Sequence, residues 1–410
     1  MTVGPATLNA SLTRHPKSLT EHRCLDRSGD LLYPRLENTM TNLSQPLFEP
    51  IVIGDLELRN RIVMAPMTRA RINNPQHIPG HAQAQYYAQR ASAGLIVTEG
   101  AWPSRDAIGA MHAPGIFTEA QAEGWKEVTG AVHAAGGTIF VQLGHVGAAS
   151  HPDFHNGRQP LAPSAVNPGQ KVFTPAGFKE TITPRAMTLD DIKRTIDDYV
   201  KATAHARKAG FDGIELHGGN VYLVPEFLSD DFNRREDQYG GNPENRSRFV
   251  IEVLSAMAAE WSSQRIALRL SPGFSMGGFH PTAQTLPTYE YLVSRLSELH
   301  LAYLHLVHRS QQVDGAQVAA LIKGTASYFR SFYNGLIVAN GGFTRDSANA
   351  AISAGNADLV SFASLYIANP DLVDRFRKGL PLSSADPSTF YQGGVTGYLD
   401  YPPAAYGARS

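Results

Sequence analysis

Three polar side chains interrupt an apolar run at residues 214–224, which read "IELHGGNVYLV". His217, Asn220 and Tyr222 are costly to bury without hydrogen-bond partners, so their clustering needs an explanation. One interpretation is a turn in which all three side chains are satisfied structurally. The other is a catalytic site.

Comparable polar groups lie at or just past the ends of other short apolar runs of the chain. They are Thr68, Glu99, Gln142, His145, Arg269, His308 and the segment Asn340-Gly341-Gly342. A single histidine or glutamine at such a position is more often a structural hydrogen-bonding group than a ligand. If the runs are the parallel strands of a barrel, their carboxyl ends meet on one face, and so many polar groups there predict a functional site.

A metal centre is one chemistry that this pattern disfavours. Metal-dependent hydrolases on barrels usually draw several His and Asp ligands from strand ends, often with two histidines one residue apart. His217 has no such partner. His305 and His308 are three positions apart, so they cannot both face the same side of an extended strand.

A planar cofactor rich in hydrogen-bonding groups fits these residues better. Arg269 would supply a fixed positive charge, and Gln142 offers the donor and the acceptor that the edge of an isoalloxazine ring needs. The stretch "VANGGFT" leads from an apolar run into a helix, so the amides of Gly341 and Gly342 predict a phosphate site. The residues therefore predict FMN as the cofactor.

The elements that must position these groups are short apolar runs alternating with amphipathic, helix-length segments. The runs cover residues 61–64, 94–99, 138–143, 213–216, 266–270, 303–307, 335–339 and 359–362. Continuous hydrophobicity indicates strands buried on both faces of a parallel sheet. Eight such units predict the α/β class and a (β/α)8 TIM barrel. A doubly wound sheet would need a glycine fingerprint after the first strand, and "MAPMTRARI" has none.

Capping signals mark several of the predicted helices. Thr188 and Asp191 form a capping-box pattern, and Gly210 follows as a stop signal. Asn242-Pro243 and Asn369-Pro370 each predict an N-cap followed by proline at the first helical position.

Composition limits the class of protein. The 410 residues are 42% hydrophobic and 18% charged with a net charge of -1, which is typical of a soluble globular protein and does not indicate nucleic-acid or membrane partners. The single cysteine, Cys24, excludes an internal disulfide and favours a reducing, cytoplasmic location. Residues 1–44 are predicted to be a disordered extension, with organellar targeting or initiation at Met40 as alternatives, and residues 45–410 to be the single barrel domain.

Between about residues 47 and 402 the chain resembles the Old Yellow Enzyme family of FMN-dependent ene reductases. The similarity is carried by these motifs, in this order: "LRNRIVMAPMTR", "YYAQRASAGLIVTEGAW", "VQLGHVG", "ELHGGNVYL", "FNRREDQYGGNPENR", "LRLSP", "ANGGFT", "YIANPDLVDRFRKGLPL" and "FYQGGVTGYLDYP". The resemblance implies that NADPH, or less often NADH, reduces bound FMN, and that the activated C=C bond of a small-molecule enone or enal is then reduced. It does not specify an oligomeric state.

The resemblance also implies residue roles. Around the flavin it places Pro66 and Met67 against the ring, Thr68 at O4, Gly100 and Gln142 at the pyrimidine edge, and Arg269 at N1 and O2. His217 and Asn220 would hold the substrate carbonyl, or the nicotinamide carboxamide. Tyr222, whose ordinary pKa near 10 keeps it protonated, would protonate the α-carbon. Tyr398 would line the same pocket.

Three departures from the family pattern carry expectations of their own. Ala363-Ser364 stands where the family usually has Gly-Arg at the FMN phosphate, which predicts weaker FMN binding. Gly144 replaces a bulky tryptophan, which predicts room for a larger substrate, such as a polycyclic natural-product enone. Val221 replaces a glycine, and a β-branched residue disfavours positive φ, so the turn is expected to be set differently.

Two alternatives stay open on the sequence. The first is a flavoenzyme of the same fold whose net reaction is isomerisation, dehydrogenation or reductive cyclisation. The second is a weakly flavin-binding barrel without redox activity, which Ala363-Ser364 motivates.

Overall fold

The computed structural model of the protein describes residues 45–308 and 316–404. Cys24 and the predicted extension at residues 1–44 lie outside the described residues. Eight parallel strands form a closed barrel in chain order, with the last paired to the first. They are β1 (Ile62–Met64), β2 (Leu95–Ala101), β3 (Ile139–Leu143), β4 (Gly213–Gly218), β5 (Ile266–Leu270), β6 (Leu304–Val307), β7 (Ile337–Asn340) and β8 (Leu359–Phe362).

The predicted TIM barrel is therefore confirmed. The runs predicted at residues 266–270 and 359–362 match β5 and β8 at both ends, and the other six differ by one or two residues. The match follows from burial, because a strand buried on both faces needs an unbroken apolar run and leaves little freedom in where it begins.

The barrel interior is apolar where the strands begin. Val63, Leu95, Phe140, Val338 and Leu359, each the first or second residue of its strand, form one buried cluster. A hairpin that precedes the barrel, Ile51–Ile53 paired with Leu56–Leu58, adds two further buried side chains to this cluster and closes that end. A functional site is thereby confined to the opposite end, where the strands finish.

The helices pack around the outside of the barrel. They are α1 (His81–Ala88), α2 (Glu119–Ala134), α3 (Leu189–Lys208), α4 (Leu223–Leu228), α5 (Pro243–Glu260), α6 (Thr285–Leu296), α7 (Thr325–Phe329), α8 (Arg345–Ser353), α9 (Ser364–Ala368) and α10 (Leu372–Lys378). Short 3-10 turns lie at Pro46–Phe48, Gly147–Ala149, Pro152–Phe154, Ser263–Arg265, Ala316–Lys323 and Pro387–Thr389. Among the described residues, no helix has the length and hydropathy needed to cross a membrane.

Two of the three predicted caps are found. Thr188 and Asp191 form the capping box of α3, and the Asn242 side chain accepts a hydrogen bond at the start of α5. The third prediction is wrong. Asn369 is the C-cap of α9, and α10 begins three residues later, after Asp371. The Asn369 side chain instead bonds both the N–H and the C=O of Ser383, which ties the C-terminal segment to the barrel.

The connections after β3 and after α10 are long. Residues 144–188 include an antiparallel hairpin, Lys171–Thr174 with Gly177–Glu180, and a short parallel pair, Leu161–Ala162 with Arg185–Ala186. Residues 379–404 contain no strand and only one 3-10 turn.

Candidate active site

Four barrel strands share a pattern at their carboxyl ends. Each is buried along its length except for one partly exposed residue, which is Gly100 in β2, His217 in β4, Arg269 in β5 and Asn340 in β7. His217 and Arg269 are register partners on neighbouring strands. Because the strands of a parallel barrel end on one face, these four residues form an open patch there, which we call the cofactor face.

The segment after β1 extends the cofactor face. All three residues of Ile62–Met64 are buried. Pro66 and Met67 are partly exposed, and Thr68 is exposed. Two apolar side chains followed by a hydroxyl suit the face and the polar edge of a flat ring.

Gln142 lies beside the cofactor face with its amide held in one orientation. Its Nε2 donates a 2.8 Å hydrogen bond to Glu215 Oε1. The amide oxygen points the other way, toward its register partner Gly100, where an added Cβ atom would lie 3.6 Å from that oxygen. An acceptor oxygen beside a residue without a side chain fits the ring N–H of an isoalloxazine, so these residues fit FMN.

The glycines predicted to bind phosphate lie where β7 turns toward α8. Gly341 has a φ of +139°, and a Cβ atom on it would lie 2.3 Å from the carbonyl oxygen of His308, so only glycine fits. Gly342 has a φ of +70° and is exposed. Such a glycine turn leaves backbone N–H groups accessible to an anion.

The end of β8 offers weaker donors than the family pattern. Ala363 is partly exposed, and the exposed Ser364 is the first residue of the short helix α9. Arg345, the arginine nearest in sequence to the glycines, donates from Nε to Asp346 Oδ1 at 2.8 Å and from Nη1 to Phe376 O at 3.3 Å. These two bonds engage only part of the guanidinium, which carries five N–H donors, so Arg345 keeps donors for an anion.

His217 is held as a neutral ring that can donate from Nε2. Burial, with the Arg269 charge as a second cause, lowers its pKa to about 3. Its Nδ1 accepts a 3.2 Å hydrogen bond from the N–H of Gly219, which leaves the ring proton on Nε2. Asn220 Nδ2 lies 3.3 Å from that Nε2. Two N–H donors side by side cannot satisfy one another, but one carbonyl oxygen can accept from both.

The turn around Asn220 shows how the chain accommodates Val221. The left-handed residue is Asn220, with a φ of 62°, a conformation that asparagine tolerates. Its N–H donates to Ser271 Oγ at 2.9 Å. Val221 does not have a positive φ, and it is buried in a cluster with Trp102 and Phe274. The valine therefore introduces no backbone strain and adds apolar packing behind the turn.

Tyr222 lies next to His217, with the two rings edge-on and their centroids 5.1 Å apart. It occupies the position before the first residue of α4. Burial raises the pKa of its phenol, and a hydrogen bond with Asn220 offsets part of that rise. The phenol therefore keeps its proton at neutral pH.

Gly144 borders the other side of His217. A Cβ atom on Gly144 would lie 3.5 Å from His217 Cδ2 and 3.6 Å from His217 Cβ, which is ordinary van der Waals contact. A small side chain would therefore fit at Gly144 in contact with the histidine ring.

Glu99 and Tyr398 belong to a different cluster. A register shift in β2 between Val97 and Gly100 separates Glu99 from the Gly100–Gln142 pair. Glu99 Oε2 accepts from the backbone N–H of Arg69 at 3.2 Å, and burial raises its pKa to about 7. Tyr398 is 1% exposed and stacks on Tyr86, with the ring centroids 4.2 Å apart. Its predicted place beside the substrate stays a prediction.

Two histidines predicted near strand ends make local bonds. His145 is buried, and its Nδ1 accepts from the N–H of Gly147 at 3.1 Å. His308 Nδ1 lies 3.3 Å from Thr325 Oγ1. Within residues 45–308 and 316–404, no group of three or more His, Cys, Asp or Glu residues could hold a metal ion.

Tyr391 is a candidate that sequence reasoning missed. It is 67% exposed, and its phenol is close enough to Tyr222 to raise the pKa of that residue. Its segment is fixed by Arg69, which donates to Phe390 O and Gly397 O, and by Arg71, which donates to Thr389 O at 2.6 Å and Gly394 O at 2.8 Å. The sequence held a signal for Tyr391, because the aromatic pair in "FYQGG" lies inside a motif that resembles the family. What the sequence did not show is that the two arginines of "TRAR" hold this segment.

Comparison with known proteins gives a consistent set of relatives. The profile of the NADH:flavin oxidoreductase / NADH oxidase family matches residues 46–383. Flavin oxidoreductase hxnT of Emericella nidulans is 38% identical over 384 residues, which cover 87% of this chain and 97% of that protein. The 12-oxophytodienoate reductase 1 of Oryza sativa subsp. japonica is 40% identical, and the match covers 87% of this chain and 93% of the relative.

Solved structures agree in fold and length. Morphinone reductase in complex with tetrahydroNAD aligns with a TM-score of 0.82 at 40% identity, covering 89% of this chain and 99% of the other. An old yellow enzyme homologue from Zymomonas mobilis aligns with a TM-score of 0.82 at 39% identity, covering 87% of this chain and 99% of the other.

Proposed function

The chain belongs to the NADH:flavin oxidoreductase / NADH oxidase family, the family of the Old Yellow Enzymes, and from this premise we propose that it is an NADPH-dependent ene reductase. At the level of the family it is an FMN-dependent NAD(P)H oxidoreductase. The proposal adds the hydride donor, NADPH, and the substrate, the activated C=C bond of an α,β-unsaturated carbonyl compound. One observation carries it: the His217, Asn220 and Tyr222 side chains lie together at the carboxyl end of β4, beside the partly exposed residues of the cofactor face.

Substrate binding would rest on His217 and Asn220. The His217 Nε2–H group and Asn220 Nδ2, 3.3 Å apart, would both donate to the carbonyl oxygen of the enone. Donors placed in advance stabilise the negative charge that develops on that oxygen when the conjugated β-carbon is attacked. The neutral state of His217 matters here, because a neutral imidazole is a weak acid. It donates a hydrogen bond to the charged oxygen and keeps its own proton.

Protonation would fall to Tyr222. Its ring contacts His217 edge-on, so its hydroxyl belongs to the same small space as the carbonyl donors. The raised pKa keeps the phenol protonated until a basic carbon forms next to it. We assign Tyr222 the delivery of a proton to the α-carbon, with Asn220 as the hydrogen-bonding partner that holds the phenol.

FMN would be held by Pro66, Met67, Thr68, Gly100, Gln142, His217, Arg269, Gly341, Gly342, Ala363 and Ser364. Held there, FMN would supply hydride transfer between the reduced nicotinamide and the alkene. Arg269 would stabilise the negative charge that the ring acquires on reduction, and Gln142 would fix the ring through its amide oxygen.

The substrate is proposed to be bulky. Gly144 stands where the family pattern has a tryptophan, and a side chain at this position would start in contact with His217, so its absence favours a larger substrate beside that ring. This steric argument supports a large substrate and does not identify a particular compound.

The test begins with the purified protein and FMN. Titration with FMN, followed by anaerobic addition of NADPH or NADH and then of a panel of small and polycyclic enones, measures each step by visible absorbance. We expect FMN binding, bleaching by NADPH faster than by NADH, and reoxidation by enones. Isomerised product without nicotinamide consumption would instead favour the isomerase alternative, and failure to bind FMN would sink the redox proposal.

A further inference from the structure

A polar network lies in the barrel interior, below the cofactor face. Of its residues, the proposed function uses only Gln142. Its centre is Glu215, a fully buried carboxylate on β4. Three donors converge on it: Gln142 Nε2 at 2.8 Å, the Tyr303 hydroxyl at 3.1 Å and His305 Nδ1 at 2.8 Å. Burying a carboxylate is strongly unfavourable unless it is hydrogen-bonded and paired. The three donors therefore stabilise a negative charge on Glu215 in the barrel interior.

The network continues across the barrel to the phosphate side. His305 Nε2 lies 2.8 Å from Ser361 Oγ, which in turn accepts a 2.8 Å hydrogen bond from Asn340 Nδ2. Asn340 is one of the partly exposed residues of the cofactor face and directly precedes Gly341. One carboxylate therefore connects Gln142, at the predicted pyrimidine edge, with the turn predicted to hold phosphate.

The donors all point toward Glu215. Burial lowers the pKa of His305, which is therefore a neutral ring that donates from Nδ1 and accepts at Nε2. Burial by itself would raise the pKa of Glu215, but the hydrogen bonds from His305 and Gln142 and the attraction of the Arg269 charge together hold it below the ordinary value. The carboxylate is therefore ionised, and it can only accept.

We propose that Glu215 is a positioning residue for the cofactor, which turns the Gln142 amide oxygen toward the cofactor face and holds a negative charge beside Arg269. The inference rests on the FMN site of the proposed function. An amide free to reverse would present N–H to the N–H of the ring, so its fixed orientation strengthens binding. Because FMN gains negative charge on reduction, the nearby anion lowers its reduction potential.

The variant Glu215→Gln keeps the shape and removes the charge. The amide of the new glutamine must direct its NH2 group at one of the three donors. Tyr303 and His305 share one oxygen position and Gln142 has the other to itself, so the NH2 group is best placed facing Gln142, whose amide must then reverse. We expect the Kd for FMN to rise about tenfold or more, since a charge-assisted hydrogen bond is replaced. We also expect the midpoint potential of bound FMN to become more positive. The matched control is Tyr303→Phe, which removes one donor from the same carboxylate and leaves both the charge and the Gln142 bond.

The readouts are FMN fluorescence titration of the apoprotein, spectroscopic redox titration of the loaded protein, and the Tm of the apoprotein. A lower Tm with unchanged Kd and unchanged potential in Glu215→Gln would mean a purely structural role and would overturn the inference. Equal shifts in Glu215→Gln and Tyr303→Phe would overturn it as well. If Gln142→Ala is introduced first, Glu215→Gln should have little further effect on the Kd, and full additivity would contradict the orientation step.

Should Glu215→Gln fail to fold, Ser361→Ala tests the same network more gently. It removes the link between His305 and Asn340 but no charge, so we expect weaker FMN binding at an unchanged potential, and an unchanged Kd would contradict the account. The wild-type titration separates the two proposals. If wild-type protein binds no FMN, the proposed function fails; if it binds FMN and the variants match it, only the positioning role fails.

Discussion

The proposed cofactor side and the proposed substrate side of the site are built differently. On the cofactor side, Gln142 and Arg269 are carried by barrel strands, and the interior behind them is buried and hydrogen-bonded. On the substrate side, Gly144, Val221 and Tyr391 lie in connections between elements. Strand residues are restrained by register on both sides, whereas loop residues can change with little effect on the barrel. The comparison indicates that Gln142 and Arg269 are restrained by the barrel, whereas Gly144, Val221 and Tyr391 can change with less effect on it.

Tyr222→Phe separates the two sides most strongly. The α-carbon loses its proton donor, so we expect the rate of enone reduction to fall by roughly 10²–10⁴. Reduction of FMN by NADPH needs no proton from Tyr222 and should stay within a factor of two or so of wild type. Anaerobic stopped-flow measurement of the two half-reactions tests this. Equal slowing of both would remove Tyr222 from the proton-donor role.

Gly144→Trp should change substrate choice while leaving the cofactor side intact. An indole along the His217 ring fills the space that we assign to a bulky substrate, so kcat/KM for polycyclic enones should fall on the order of a hundredfold. For a small enone such as 2-cyclohexenone we expect little change. Gly144→Ala is the matched control, because its Cβ atom meets His217 at 3.5 Å, an ordinary contact. Equal loss for small and large enones would contradict the assignment.

Arg71→Ala tests how the Tyr391 segment is held. Arg71 donates to the carbonyl oxygens of Thr389, Gln392 and Gly394, so its loss should loosen the segment. We expect KM for enones to rise by roughly tenfold, as several hydrogen bonds are lost, with the Kd for FMN unchanged. Arg158→Ala, which removes an exposed ion pair with Asp106, is the control. Weaker FMN binding in Arg71→Ala would show that the two sides are not separable here.

Ser364→Arg tests the departure at Ala363-Ser364, where the family pattern has Gly-Arg. An arginine at the start of α9 would add a charge-assisted hydrogen bond to the phosphate, so FMN should bind about tenfold more tightly. Riboflavin, which lacks the phosphate, provides the control, and its affinity should not change. If riboflavin and FMN gain equally, the added arginine does not contact the phosphate.

The smallest expected effect is that of pH on His217. Its pKa is lowered to about 3, so the ring is neutral at any pH above that value. An ordinary histidine would become charged below about 6.5. The rate of the enone half-reaction should therefore show no ionisation of His217 between about pH 5 and pH 8. His217→Asn is the variant that would remove such an ionisation, and Asn220→Ala, which keeps the histidine, is its control. An ionisation near 6.5 that disappears in His217→Asn would contradict the neutral donor.

The same contrast explains what could be predicted from the sequence. The strands were predictable because burial on both faces demands unbroken apolar runs, and Gln142, His217 and Arg269 were predictable because they end those runs. The Glu215 network was hidden, since a single Glu inside "GIELHG" has no partner nearby in sequence and its donors lie 73 to 90 residues away. Asn369 was misassigned as an N-cap because Ser383, its true partner, comes from a later segment.

The central claim is that hydride from the nicotinamide reaches the β-carbon of an enone and a proton reaches the α-carbon. The direct test is to reduce 2-cyclohexenone with NADPH deuterated at C4 in ordinary water, repeat the reaction with unlabelled NADPH in D2O, and locate deuterium in the products by NMR. The account predicts deuterium at the β-carbon in the first product and at the α-carbon in the second. Nicotinamide deuterium at the α-carbon, or a shifted double bond formed without consumption of NADPH, would contradict it.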